Sequence, residues 1–261
     1  MKTFAFAVIL LFAAPAAAHA EATIVGRDVP LHGQRALAGS GTRRFDLVGV
    51  HWQGGGSVTF RTRSFAGRWS TWHAAAPEAE DGPDRPAEAG WRIGNPYWTG
   101  ASDGIQYRLH GPVTRLRAYF VWSPADALPS RRLSIAGSPK VILRAGWGAD
   151  ESIRRAAPQY APSVQYALVH HTAGTNAYSP SQSAAIVRGI EIYHVKGNGW
   201  NDIGYNFLVD KYGQVFEGRY GGVDKNVIGA HAEGFNTGSF GVAVLGTYTS
   251  SAPTAAAQTA L

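Results

Sequence analysis

The 261-residue chain contains no cysteine. Disulfides therefore do not hold it together, and no thiolate can bind a metal, so a metal site must be built from His, Asp, Glu or Tyr. Charge is scarce as well, at 16% of residues. The hydrophobic share is 45%, enough for real cores, so the low charge does not signal disorder. The formal net charge is +6, carried mostly by arginine, without any basic run. This argues against a nucleic-acid-binding protein and for an attraction to anionic polymers. No stretch reaches the ~20 consecutive apolar residues that span a bilayer.

An apolar block does open the chain. Residues 4–17 follow Met1-Lys2-Thr3 and lead into "AAAHA", with small residues at Ala18 and Ala20. A short positive start, an apolar middle and a small-residue end mark a secretory signal peptide, with cleavage expected after Ala20. The protein is thus expected to be secreted or held in a cell envelope.

Residues 21–40 are polar and Gly/Ala-rich and read as a loose leader. From about 45 to 122 the pattern is β-like. "FDLVGVHW" (45–52), "SVTFRTRSF" (57–65), "IQYRLHG" (105–111) and "RLRAYFVW" (115–122) are short strands separated by turns such as "QGGGS". "EAEDGPDRPAEAG" (78–90) is an exposed loop. Six of the eight tryptophans lie in this half. Either they fill a small antiparallel sandwich, or they present ring faces that stack on sugars in a carbohydrate- or wall-binding module.

"SPADALPSRRLSIAGSPK" (123–140) is rich in Pro, Ser and Ala and reads as a linker. The texture then changes. Residues 164–171 form a strand. "SPSQSAAIVRGIEIYH" (179–194) is a helix, with Ser179 as cap, Pro180 at the first position, Gln182 closing a capping box and Ile186 and Ile190 in an apolar stripe. Strands follow at 203–210, 214–219 and 240–248, the last buried on both faces. Strand, helix and further strands predict an α/β unit with a mixed sheet. The organisation expected is a signal peptide (1–20), a β-rich ancillary unit (21–122), a linker (123–140) and an α/β unit (141–261).

"YALVHHTAG" (166–174) ends an apolar strand in two adjacent histidines. Neighbours in a strand point to opposite faces. His170 falls with Leu168, Tyr166 and Val164, while His171 falls with Val169 and Ala167. A site on one face can use only one of the two.

Four blocks in order, "RAGWGA", "ALVHHTAG", "YHVKGNGWNDIGYNFLVDKYGQVFEGR" and "IGAHAEGFNTGSFGVAVLG", together resemble the peptidoglycan recognition protein and type 2 N-acetylmuramoyl-L-alanine amidase family. The resemblance covers about residues 144–248. It implies an amidase-like mixed sheet flanked by helices, preceded here by a mainly-β ancillary domain. It also implies peptidoglycan as partner and Zn2+ as cofactor. Active members of such a family hydrolyse the amide between N-acetylmuramic acid and the L-alanine of the stem peptide. Zinc polarises the carbonyl and lowers the pKa of bound water to ~7, and a catalytic site takes three protein ligands and one open position. By position, the resemblance assigns His170 as the first zinc ligand, which leaves His171 to structure. It assigns Tyr205 as the catalytic tyrosine that orients water or the substrate carbonyl. His194, His231 and Asn236 are assigned to binding muramyl or stem-peptide groups. Arg219 has two readings, a partner for a stem-peptide carboxylate or a structural bridge to Glu217 or Asp202.

The resemblance also sets a limit. The family's second and third zinc ligands, in a "GHRD"-like stretch and a "CPG"-like segment, come after a helix that "APTAAAQTAL" here only begins. The expectation is therefore a C-terminally truncated zinc amidase. The alternative is a recognition protein that binds muropeptides without cutting them. A third option places the main role in the Trp-rich half, as a sugar-binding adhesin.

Overall fold

The computed structural model describes residues 21–37, 42–76, 82–84, 90–125, 132–133 and 139–261. The expected signal peptide lies outside the described residues, as do parts of the 78–90 loop and of the 123–140 linker.

The N-terminal unit is an antiparallel sheet. Its strands are β1 (Thr23–Asp28), β2 (Ala36–Leu37), β3 (Phe45–Gln53), β4 (Ser57–Ser64), β5 (His73–Ala74), β6 (Trp91–Ile93), β7 (Tyr97–His110) and β8 (Arg115–Trp122). They run in the order β1-β8-β3-β7-β4-β5, with β2 on β7 and β6 on β3. The period of two is plain in β4, where Val58, Phe60 and Thr62 are buried while Thr59, Arg61 and Arg63 alternate outward. Against them β7 buries Ile105, Tyr107 and Leu109.

Residues 21–40 are not a loose leader throughout. β1 pairs with β8 from Thr23↔Trp122 to Asp28↔Arg117, and β2 pairs with β7. Most of β1 is exposed, so it shows no alternation, and its order comes from a partner far along the chain.

The second sheet comprises β9 (Arg132–Leu133), β10 (Val141–Ile142), β11 (Tyr166–His171), β12 (Phe207–Val209), β13 (Val215–Glu217) and β14 (Ser239–Val244). The order is β11-β14-β12-β13-β10-β9. β11, β14 and β12 are mutually parallel, β12 and β13 antiparallel. The sheet is therefore mixed, as expected. β9 falls inside the expected linker and pairs with β10. β14, between β11 and β12, is buried along nearly its whole length, which explains its unbroken apolar run.

The helices are α1 (Arg144–Trp147), α2 (Ser183–Ile192) and α3 (Ala255–Ala260). A 3-10 turn at Pro180–Gln182 leads into α2, and the Ser179 N–H donates to Gln182 Oε1 at 2.8 Å. A π-helical turn, Tyr193–Gly197, follows it. Ile186 and Ile190 are buried as the stripe requires, but so is nearly every other side of α2. The reason is a second packing partner. Leu47, Trp98 and Val121 of the first unit belong to one apolar cluster with Ile186, Ile190 and Tyr193. Tyr193 packs against Gly49, where a Cβ would fall 1.9 Å from its ring. The molecule is thus a mixed α/β unit docked by its main helix onto a mainly-β unit.

Candidate functional site

Parallel strands gather sites at their C-terminal ends. His170 stands next to the last residue of β11, opposite Ala243 of β14. The Nε2 of half-buried His170 lies 3.2 Å from Nδ1 of His231, with the rings tilted at 68°. The Tyr205 ring is 5.8 Å from that of His170 and 5.7 Å from that of His194. Four residues singled out in the sequence therefore meet in one cluster. His171 points elsewhere, its Nδ1 accepting the Tyr248 N–H at 3.2 Å.

Two glycines make room for His231. A Cβ at Gly229 or at Gly241 would fall 2.4 Å from its ring, closer than any methyl can approach, so the imidazole fills space that only glycine leaves. The backbone N–H groups of His231 and Ala232 donate to Asn236 Oδ1, at 2.8 and 3.1 Å. His194 accepts the Gly204 N–H on Nδ1 at 3.0 Å, which places the proton of its neutral form on Nε2.

The resemblance assigned His194, His231 and Asn236 to binding muramyl or stem-peptide groups. In this structure they are 0%, 0% and 1% exposed, and Tyr205 is 2% exposed. Part of the cover comes from the N-terminal unit. Asn236 Nδ2 donates to Gly82 O at 2.8 Å and to Asp84 Oδ1 at 2.6 Å, and the Gly234 N–H donates to the same carboxylate oxygen at 2.7 Å. Gly82 also borders Trp200, whose ring packs 4.4 Å from that of His194. Asn236 thus spends its whole amide inside the protein. The Arg219 guanidinium also donates inward, to the carbonyls of Ile203, Ile228 and Asp202 at 2.9, 3.3 and 3.4 Å.

Residues 159–261 match the family described as N-acetylmuramoyl-L-alanine amidase. This part of the chain belongs to the amidase and peptidoglycan recognition family. The amidase-family unit is 37% identical over 120 residues to peptidoglycan-recognition protein SC2 of Drosophila melanogaster, covering 46% of this chain and 62% of the relative. It is 34% identical over 118 residues to peptidoglycan recognition protein 1 of Bos taurus, covering 45% and 59%. The chain thus spans about three-fifths of these relatives' length. Among solved structures, Drosophila peptidoglycan recognition protein SD is 28% identical, with a TM-score of 0.42 over 47% of this chain and 69% of that one. Residues 13–134 match the family described as Rv3811 N-terminal galactose-binding domain-like.

The amidase-family unit also holds a buried ionic hub that the sequence reading left without a role. Arg144, 3% exposed, donates to Glu191 at 2.7 Å and Glu151 at 2.8 Å, sits 3.4 Å from Asp202, and donates to the Gly218 carbonyl. Burial pushes the Glu191 carboxyl up to about 8, against the pull of Arg144. Arg144 opens the "RAGWGA" block, and an arginine beside Gly and Trp was the available signal.

The donor set does not fit a catalytic zinc. Among the described residues no group of three His, Cys, Asp or Glu is placed to hold a metal ion, and the Nε2 of His170 is turned onto the His231 imidazole. No catalytic step through a metal follows from these residues.

Proposed function

We propose that this chain binds peptidoglycan, seating the junction of muramic acid and stem peptide at the end of β11 beside His170 and Tyr205. The observation that carries the reading is the convergence of His170, His231, Tyr205 and His194 at the C-terminal end of a parallel strand pair, inside the segment that matches the amidase family. The relatives' names, which state peptidoglycan recognition, support it. His170 is the cluster member with substantial exposure and is the proposed point of first contact. His194, His231 and Asn236 are proposed to meet the ligand once the Gly82–Asp84 segment shifts away.

Hydrolysis of the muramoyl–L-alanine amide is the second reading. It is favoured by the placement of His170 next to Tyr205, and it needs metal ligands beyond those the described residues bring together. One experiment separates the readings: co-sedimentation with purified sacculi, with and without Zn2+, while released stem peptide is assayed. The expected result is binding without release. Replacing His170 with Ala should weaken binding about tenfold, ~1.4 kcal/mol. Absence of binding would sink the proposal, whereas one tightly held zinc per chain with peptide release would establish the amidase.

A further inference from the structure

The outer face of β4 and β7 takes no part in the cluster at His170. Its positions are set by register: Thr59 opposite Arg108, Arg61 opposite Gln106, Arg63 opposite Gly104. The loop between β4 and β5 lays two tryptophans over it. The Arg61 guanidinium lies 5.0 Å from both the Trp69 and the Trp72 rings, Arg108 lies 4.0 Å from Trp72, and Arg63 lies 5.9 Å from Trp69. Arg61 Nε donates to Gln106 Oε1 at 2.8 Å. Arg63 Nε donates to Asp103 Oδ1 at 2.9 Å. Stacking and these bonds hold long side chains in place, which removes much of the entropy a partner's binding would otherwise have to overcome.

The unit as a whole is mixed in charge, with twelve arginines and nine carboxylates over residues 21–122, but this face is one-sided. From β4 to β5 and along β7 (57–74 and 97–110) there are four arginines (61, 63, 68 and 108), one aspartate (103), and no lysine or glutamate. Asp46 is buried under the Ser123 N–H, and Asp103 is taken by Arg63. No carboxylate among the described residues pairs with Arg61 or Arg108. The reverse side of these two strands carries Val58, Phe60, Ile105 and Tyr107 into the core; this side faces solvent, with Arg108 exposed and Trp69 at 36%.

We propose that this face binds an anionic wall glycan, its guanidiniums gripping phosphodiester or carboxylate oxygens while Thr59, Gln106 and the indole edges meet sugar hydroxyls. It thereby gives the chain a second hold on the wall, an extension that rests on the peptidoglycan reading above. Two linked contacts on one polymer raise the retention of each by effective concentration. A glycan fits better than nucleic acid because the tryptophan rings already carry guanidiniums and are not free platforms for stacking bases.

The test uses the full chain and the double variant Arg61→Gln/Arg108→Gln, with its fold checked by circular dichroism. Binding is measured against salt on sacculi, on sacculi stripped of phosphate-linked polymers by hydrofluoric acid, on polygalacturonate and on duplex DNA. The variant should lose about tenfold in sacculus affinity and show a shallower salt dependence, on the order expected for two lost ionic contacts. Loss that vanishes on stripped sacculi assigns the phosphodiester source, and loss that persists assigns the carboxylate source. His170→Ala should leave the salt slope unchanged. If sacculus binding fails altogether, the peptidoglycan reading falls, and polygalacturonate still decides this face. Retention weakened by the substitutions supports it, and retention indifferent to them, or absent, overturns it. Tighter binding to DNA than to sacculi, lost with the same substitutions, overturns the glycan assignment.

Discussion

His51 ties the two units together and carries a pH dependence. Its Nε2 is 2.8 Å from the Tyr193 hydroxyl, which itself donates to the Gly94 carbonyl at 2.5 Å. A phenol has one proton to give, so in this bond His51 is the donor, protonated on Nε2. Burial pushes its pKa down to about 4; a hydrogen bond with Asn198 opposes this, and the charge of Arg117 adds to it. The unfolded chain takes up this proton near 6.5, and the folded chain holds it off until about 4. Between those values the unfolded state binds more protons, so the contribution is fully present above pH 6.5 and is lost as pH falls through 4. Over the whole window the loss amounts to about 3 kcal/mol. The raised Glu191 acts with the opposite sign, its folded state binding more protons between pH 4.5 and about 8. Comparison with His51→Gln isolates the histidine: from pH 7 to pH 4, urea unfolding should show the wild type losing about 3 kcal/mol more than the variant. Equal losses would remove His51 from the account. The histidines also show what the sequence disclosed of the site. His170 stood out because a strand ended in a polar pair. Its contact with His231, 61 positions away, has no local signature, and only the matched block order put the two in one region.

At the scale of elements, legibility followed local pattern. β3, β4, β8 and the end of β7 were readable from partial alternation between turn signals, and the start of α2 from Ser179, Pro180 and Gln182. β1, β2 and β9 were not, because each is specified by its partner strand and carries little periodicity of its own. The same holds for the Gly82–Asp84 segment, whose "DGPD" signature announces a turn but not its destination. It ends on the loop of the amidase-family unit, with Asp84 Oδ1 accepting from both Asn236 Nδ2 and the Gly234 N–H. A hydrogen bond to an ionised carboxylate is stronger than a neutral one. Asp84→Asn keeps the shape and removes the charge. Because Asp84 is exposed, the cost to global stability should be about 1 kcal/mol. The local readout is sharper: the Gly234 amide should exchange with deuterium faster in the variant. An unchanged rate there would mean that the carboxylate does not hold the segment down.

At the scale of the molecule, the change of sequence texture around 123–140 marks a boundary in composition, not in packing. "FDLVGVHW" has apolar residues at both odd and even positions, five of its eight, and β3 is buried on both faces. Val48, Val50 and Trp52 face the interior of their own sheet, while Leu47 joins Trp98 and Val121 against Ile186, Ile190 and Tyr193 of the amidase-family unit. The strand was visible in the sequence, but its second packing partner was not, since two units drawn as separate leave that face to solvent. Shared burial of this kind couples the units thermodynamically, because neither can unfold without uncovering the other's apolar surface. Leu47 is fully buried, and truncating it to Ala should cost about 2–5 kcal/mol through lost transfer energy and the cavity left behind. The cost should be felt by both sheets. Deuterium exchange read separately on peptides from β4–β7 and from β12–β14 should show their protection falling together in Leu47→Ala. Weakening confined to the first sheet, with the second at wild-type protection, would show that the two units fold independently and that the interface merely touches.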